Sequence, residues 1–275
     1  MRIPKLPSSL SGAIGSMIVL LNFSLAALAP LLAPFGEADQ IGDVWAAPSA
    51  EFILGLDNLG RDMLSRLLFG GRTSISISLC VALLSFSIGI SLGLLAALAR
   101  GWIDEALNRL VDLIMSIPTL IFSLIILSMV GTSIPVLIGT IALFDFTRVF
   151  RLSRALGLNI AAMEFVEAAR LRGEGWAWVI GREMLRPALP PLVAEFGLRF
   201  CFAFLFIASL SFLGLGVQPP HADWGGMVRD NAAAINLGIF APLIPAAAIA
   251  QLTIGVNLLI DWYSSSHNSR LKHTI

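Results

Sequence analysis

Charged side chains are scarce in this 275-residue chain, 13% against 57% hydrophobic, so chemistry can gather only where they do. Glu195 and Arg199 stand four residues apart in an apolar run, a spacing that lets them pair along one helix face. Asp145 precedes Arg148 by three residues and has the same option. An ionisable residue inside a bilayer costs about 2.5–3.5 kcal/mol on insertion scales, so it needs a partner or a wet cavity. Two readings of Asp145, Glu195 and Arg199 follow. They neutralise one another, or they line a path through the membrane, with Asp145 meeting a cationic group of a cargo. The densest polar stretch is residues 164–176, EFVEAARLRGEGW, which packs Glu164, Glu167, Arg170, Arg172 and Glu174 around an Ala168-Ala169 pair and Gly173.

Other chemistries lack their residues. The lysines are Lys5 and Lys272, and neither follows a glycine, so no Gly-Lys-Ser/Thr phosphate-binding loop exists. Work driven by ATP would need another subunit to hydrolyse it. His221, His267 and His273 are scattered and show no zinc spacing; no metal site is expected. Cys80 and Cys201 lie in apolar runs and read as packing residues. Zero net charge leaves no basic stripe for nucleic acid. A mean hydropathy of +0.85 demands lipid to cover the apolar surface.

Six stretches reach the roughly 20 apolar residues a spanning helix needs: 11–35, 74–99, 106–130, 134–150, 190–216 and 236–262. Arg148 closes the fourth, and Arg151, Arg154, Arg170, Arg172, Arg182 and Arg186 follow it before the fifth. Arg2 and Lys5 precede the first, Arg100 and Arg109 lie near the 2–3 loop, and Arg270 and Lys272 follow the last. Arg61, Arg66, Arg72 and Arg229 fall on the other side. The positive-inside rule therefore places both termini in the cytoplasm. Ala27-Leu28-Ala29 resembles a cleavage site, but the apolar run is long and Pro30 follows, so an uncleaved anchor is expected.

Outside, Leu59, Met63, Leu64, Leu67 and Leu68 recur at helical spacing, with Arg61, Asp62 and Arg66 off the stripe. This predicts an amphipathic helix on the outer surface, either a lid or a platform for an external partner. Inside, a helix is expected over 161–171, broken at Gly173 and Gly175. A second short helix is expected over 176–185, and Pro187, Pro190 and Pro191 are read as opening the fifth span. Ala168 and Ala169 would leave a shallow spot for another protein's backbone, with Glu167 beside it. A solvated loop held off the membrane by its charges fits the same residues.

The run Glu167-Ala168-Ala169-x-x-x-Gly173 resembles the EAA motif of permease subunits in bacterial ABC importers. That motif continues nine residues past the glycine with Ile-x-Leu-Pro. Here Glu183-Met184-Leu185-Arg186 stands in its place, with proline one position late at Pro187. Residues 54–66, LGLDNLGRDMLSR, resemble the LGTDxLGRDxLSR signature of dipeptide/oligopeptide/nickel-type permeases, with leucine for threonine. SFLGLGVQPP from Ser211, followed by Asp223-Trp224-Gly225, resembles that group's SFLGLGVQPPxxxWG signature. The spacing of the three motifs is similar to that of the second permease subunit, and the resemblance covers residues 10–262.

The resemblance implies an all-α membrane protein with the six-helix type I importer permease fold, a cytoplasmic coupling helix and an amphipathic periplasmic helix. It divides the chain into an N-terminal helix and periplasmic segment (1–70), a permease core (71–262, coupling segment 161–186) and a cytoplasmic tail (263–275). It implies residence in the bacterial inner membrane beside a homologous permease, two ATPases that use ATP and Mg, and an extracytoplasmic solute-binding protein. The chain itself would bind no cofactor and catalyse nothing. Glu164, Glu167, Ala168, Ala169, Arg170, Leu171, Gly173 and Gly175 would couple to the ATPase. Asp57, Arg61, Asp62, Arg66, Gln218 and Trp224 would meet the binding protein. A self-sufficient secondary transporter or channel is the alternative, but no internal repeat accompanies it.

Overall fold

The computed structural model describes residues 8–272, with side chains over 10–265. Arg2, Lys5 and His273, and the side chains of His267, Arg270 and Lys272, lie outside those bounds, so the part of the orientation argument resting on them does too. The described chain is helical apart from connections and two isolated bridges, Gln40–Arg61 and Leu56–Asp62.

The helix α1 (Ser8–Ala27) stops short of the expected 11–35, and a single turn, α2 (Ala29–Leu32), restarts with Pro30 in its first turn. Proline has no N–H to bond the preceding turn, so it suits a start and not a continuation. After an outer loop comes α3 (Met63–Ala99), a 37-residue helix capped where Asp62 accepts the Ser65 backbone N–H at 2.7 Å. The separate amphipathic surface helix expected from Leu59 does not form. Leu59 stays in the loop, and the stripe from Met63 is the outer end of α3. Its charges read as solvent-facing because the loop that covers them is distant in periodicity, not in space.

The expected third span is two helices, α4 (Gly101–Met115) and α5 (Thr119–Val130), meeting at 81°. Pro118, in extended backbone before α5, breaks the run. The next helix, α6 (Ile134–Ala161), outruns its expected end at 150. The inner-face helix α7 (Glu164–Leu171) follows. Next, α8 (Trp176–Trp178) passes through a π turn (Val179–Met184) directly into α9 (Leu185–Phe212). Pro187, Pro190 and Pro191 thus do not open a new span; Pro190 and Pro191 lie within α9, and the wider π turn precedes them. A short outer helix, α10 (Trp224–Asn231), and a 3₁₀ segment (Ala232–Leu237) lead to α11 (Leu243–Lys272). The last helix starts later than expected and runs on to Lys272, into the segment read as a tail.

Among the described residues, four helices are long and apolar enough to cross a membrane: α1, α3, the Trp176–Phe212 helix and α11. The α4–α5 pair makes a fifth if counted as one broken span. The expected six is therefore four or five by length and composition. Asp145, Arg148 and Arg151 crowd the middle of α6 and set it apart.

In the packing, α6 lies along α3, α1 lies along α11, and α9 touches both pairs. Close approach of α3 and α6 depends on absent side chains. A Cβ on Gly89 would sit 2.6 Å from Val149 Cβ, and one on Gly93 2.7 Å from the Phe150 carbonyl oxygen. Phe86, Leu94, Ala97 and Val149 fill that seam towards the inner face, where Val166 and Met184 join them.

Candidate functional sites: the inner elbow and the buried charge clusters

The inner elbow is built on one left-handed residue. Gly173 has φ +80°, a region that costs a residue with a Cβ, and its N–H donates to the Arg170 carbonyl at 3.0 Å. Glu174 N–H then donates to Ala169 O at 3.3 Å, which closes α7. Gly175 has an ordinary φ of −71°, so the turn rests on Gly173 alone. Val166 and Ala169 are fully buried against Ile160, Val179, Met184 and Ala188.

This corrects the expectation for the alanine pair. Ala169 anchors α7 to the bundle, while Ala168 alone faces out with Glu164, Glu167, Arg170 and Gly173. Phe165, Leu171 and Trp176 are exposed on the same stretch, Leu171 at 83%. Arg172 spans the elbow: it lies 4.0 Å from Glu174, 3.9 Å from Glu183 and 5.9 Å from the Trp178 ring. Glu183, which departs from the family motif, thus has a partner across the turn. Arg186 is an exposed residue inside a continuing helix, so no proline is needed there.

Between α6 and α9 the intramembrane charges meet across helices. Arg199 Nε is 2.7 Å from Glu195 Oε1, as the spacing predicts, and its Nη1 is 3.4 Å from Asp145 Oδ1. Asp145 is 1% exposed and turned towards α9, not towards Arg148. An open contact with a cationic cargo is therefore not what Asp145 presents. Arg148 instead lies over the Phe202 ring at 4.4 Å, and Arg199 is 5.6 Å from the same ring. Phe202 is the residue sequence reasoning passed over; its i, i+3 spacing from Arg199 was the available signal.

The outer motif residues are used internally. Asp57 Oδ2 is 2.7 Å from Arg61 Nε and 3.1 Å from Arg66 Nε, and all three are at most 5% exposed. Asp57 Oδ1 accepts the backbone N–H groups of Leu59 and Arg61, and Arg66 Nη1 donates to Glu37 O at 3.0 Å. Asp62 is taken by its cap. Gln218 donates to Gly214 O and Gly216 O, closing the turn after α9.

Trp224, expected to meet the binding protein, is turned inward. It is 4% exposed, donates from Nε1 to Leu67 O at 2.8 Å and meets Phe204 edge-on at 5.8 Å. Beside it, Asp223 caps α10 by accepting from Gly226 N–H at 3.1 Å. Burial pushes its carboxyl above the ordinary range against that bond and one from Ser211. Cys80 faces outward, unlike buried Cys201.

A family model described as the inner membrane component of binding-protein-dependent transport systems matches residues 89–273. The di/tripeptide transport system permease protein DppC of Pseudomonas aeruginosa is 32% identical over 270 residues, 95% of this chain and 89% of that protein. The glutathione transport system permease protein GsiD of Pectobacterium atrosepticum is 30% identical over 261 residues, 93% of this chain and 86% of that one. A solved amino acid ABC transporter superposes with a TM-score of 0.49 at 21% identity, over 70% of this chain and 92% of that chain.

Proposed function

The chain belongs to the family of binding-protein-dependent transport-system inner-membrane components, and from that premise we propose that it forms half of an ATP-driven import path for peptide-like solutes. The other half is a homologous permease. Two ATPases sit beneath, using ATP and Mg, and a solute-binding protein delivers cargo from outside. The relatives named for di/tripeptides and for glutathione support a peptide-like cargo. The chain carries no Gly-Lys-Ser/Thr loop of its own, so ATP hydrolysis falls to the partner subunits.

The observation that carries this reading is the inner elbow. Its inward face is welded to the bundle by Val166, Ala169, Val179 and Met184. Its outward face offers Phe165, Ala168, Leu171 and Trp176 with Glu164 and Glu167 beside them, apolar area bordered by charge. Large exposed apolar side chains clustered on a polar segment suit a protein partner. A partner that closes on ATP then moves the spans through α7 and α9, and two conformations alternate.

In this reading α6 is the sixth span. Its 28 residues extend about 42 Å, enough to cross, and its charges are offset by Arg199 pairing with Asp145 and by Arg148 over Phe202.

The test is purification from the native membrane followed by reconstitution. ATPase subunits and a second permease should travel with the chain, and uptake should require ATP. Gly173→Trp should leave the chain inserted while uncoupling hydrolysis from uptake. A lone chain that transports in ATP-free vesicles would overturn the reading.

A further inference from the structure

The geometry points to Arg148, laid over Phe202, as a carboxylate-recognising station on the translocation path. The inference rests on the permease reading and adds to it the charge of the cargo at one point of its passage. Arg148 lies 14 residues into α6, about 21 Å from its outer end and within the hydrocarbon thickness of about 30 Å. It is exposed, and among the described residues it makes no hydrogen bond or ion pair. Two carboxylates, Asp145 and Glu195, share the one Arg199, at 3.4 and 2.7 Å, so Arg148 balances the charge of the group while its own N–H donors stay free of any acid.

The stack on Phe202 has a chemical consequence. A guanidinium lying on a ring face keeps its N–H donors at its rim, where a carboxylate can engage two of them side by side. The ring is itself held, stacked on Phe206 at 5.7 Å and 14°. The donors are thus positioned and unspent. A cation in that state is costly against lipid, so the surface it faces is wet. The group presented outward is the reverse of the one read from Asp145 in the sequence: the exposed guanidinium of Arg148, suited to an anionic group of a peptide-like solute.

The test uses the assembled complex and needs no identified cargo. Leu198, exposed one turn from Phe202, is changed to Cys in a chain carrying Cys80→Ala and Cys201→Ala. Modification of this chain is then timed with an anionic and a cationic methanethiosulfonate reagent. Replacing Arg148 with Gln should lower the ratio of anionic to cationic reaction rates by about tenfold, as expected when one nearby positive charge is lost. Arg148→Lys should leave that ratio near its original value. A site unreactive to both reagents, sealed by lipid or the partner permease, overturns the proposal, as does an unchanged ratio in Arg148→Gln. If the ATPases do not travel with the chain, the permease reading has failed instead, and the two failures are told apart.

Discussion

Asp57 holds two arginines in a space with almost no water, and that asymmetry fixes what its loss would do. Asp57→Ala leaves Arg61 and Arg66 buried without their carboxylate, a situation that costs about 3–5 kcal/mol. Thermal unfolding in detergent should show a clear drop, and a smaller one for Asp57→Asn, which still accepts from the Leu59 and Arg61 N–H groups. At Asp223 the prediction is one of pH. Its carboxyl binds a proton more readily folded than unfolded, so the folded state holds more protons and stability falls as pH rises from its ordinary 3.8. Asp223→Asn keeps an acceptor for Gly226 and should flatten that slope in a melting series across pH. The two elbow glycines should also separate. Gly173→Val is forced into the left-handed region at a cost of about 1–2 kcal/mol, whereas Gly175→Ala meets open space at an ordinary φ. Uptake assays should find the first impaired and the second near normal.

Helix pairing depends on the glycines of α3 in a way a single substitution exposes. Gly93→Leu would drive a side chain into the Phe150 carbonyl and Ser153 of α6, and overpacking of this kind costs about 1–3 kcal/mol or more. The melting temperature of the purified chain should fall, while a leucine at Gly139, which meets nothing within 4 Å, should be tolerated. The positions of the helices were legible because apolar runs mark them; their ends and joints were not. Pro118 divides a run that composition reads as one span, since hydropathy averages over a break of three residues. Pro187, Pro190 and Pro191 read as a start because nothing local announces the π turn ahead of them. The EAA elbow was legible to the residue at Gly173, yet the split between buried Ala169 and exposed Ala168 emerges only when α7 meets Met184 and Val179. Likewise Asp145 had a sequence neighbour in Arg148, but its partner comes from another helix fifty-four residues on.

The whole molecule is closed on its outer side by a loop tied to a helix far along the chain. Asn231 of α10 accepts from Trp45 Nε1 at 3.1 Å and from Asn58 N–H at 3.0 Å, joining segments more than 170 residues apart. Asn231→Ala takes the acceptor from both half-buried donors, each hydrogen bond worth about 0.5–1.5 kcal/mol. Limited proteolysis should then cut the outer loop faster while the spans stay protected. Such ties were invisible in the sequence because the charged signature residues read as surface contacts when each had a partner inside. The long helix from Trp176 to Phe212 joins the two ends of the molecule. At 1.5 Å per residue it is a shaft of about 55 Å, and a tilt of about 5° about one end carries the other through about 5 Å. Its inner end is gripped by α7 and its outer end by the turn that Gln218 closes. A push at its inner end therefore reaches the outer turn to the extent that the π turn and the Pro190-Pro191 step stay stiff, which makes those few residues the gearing between the two faces.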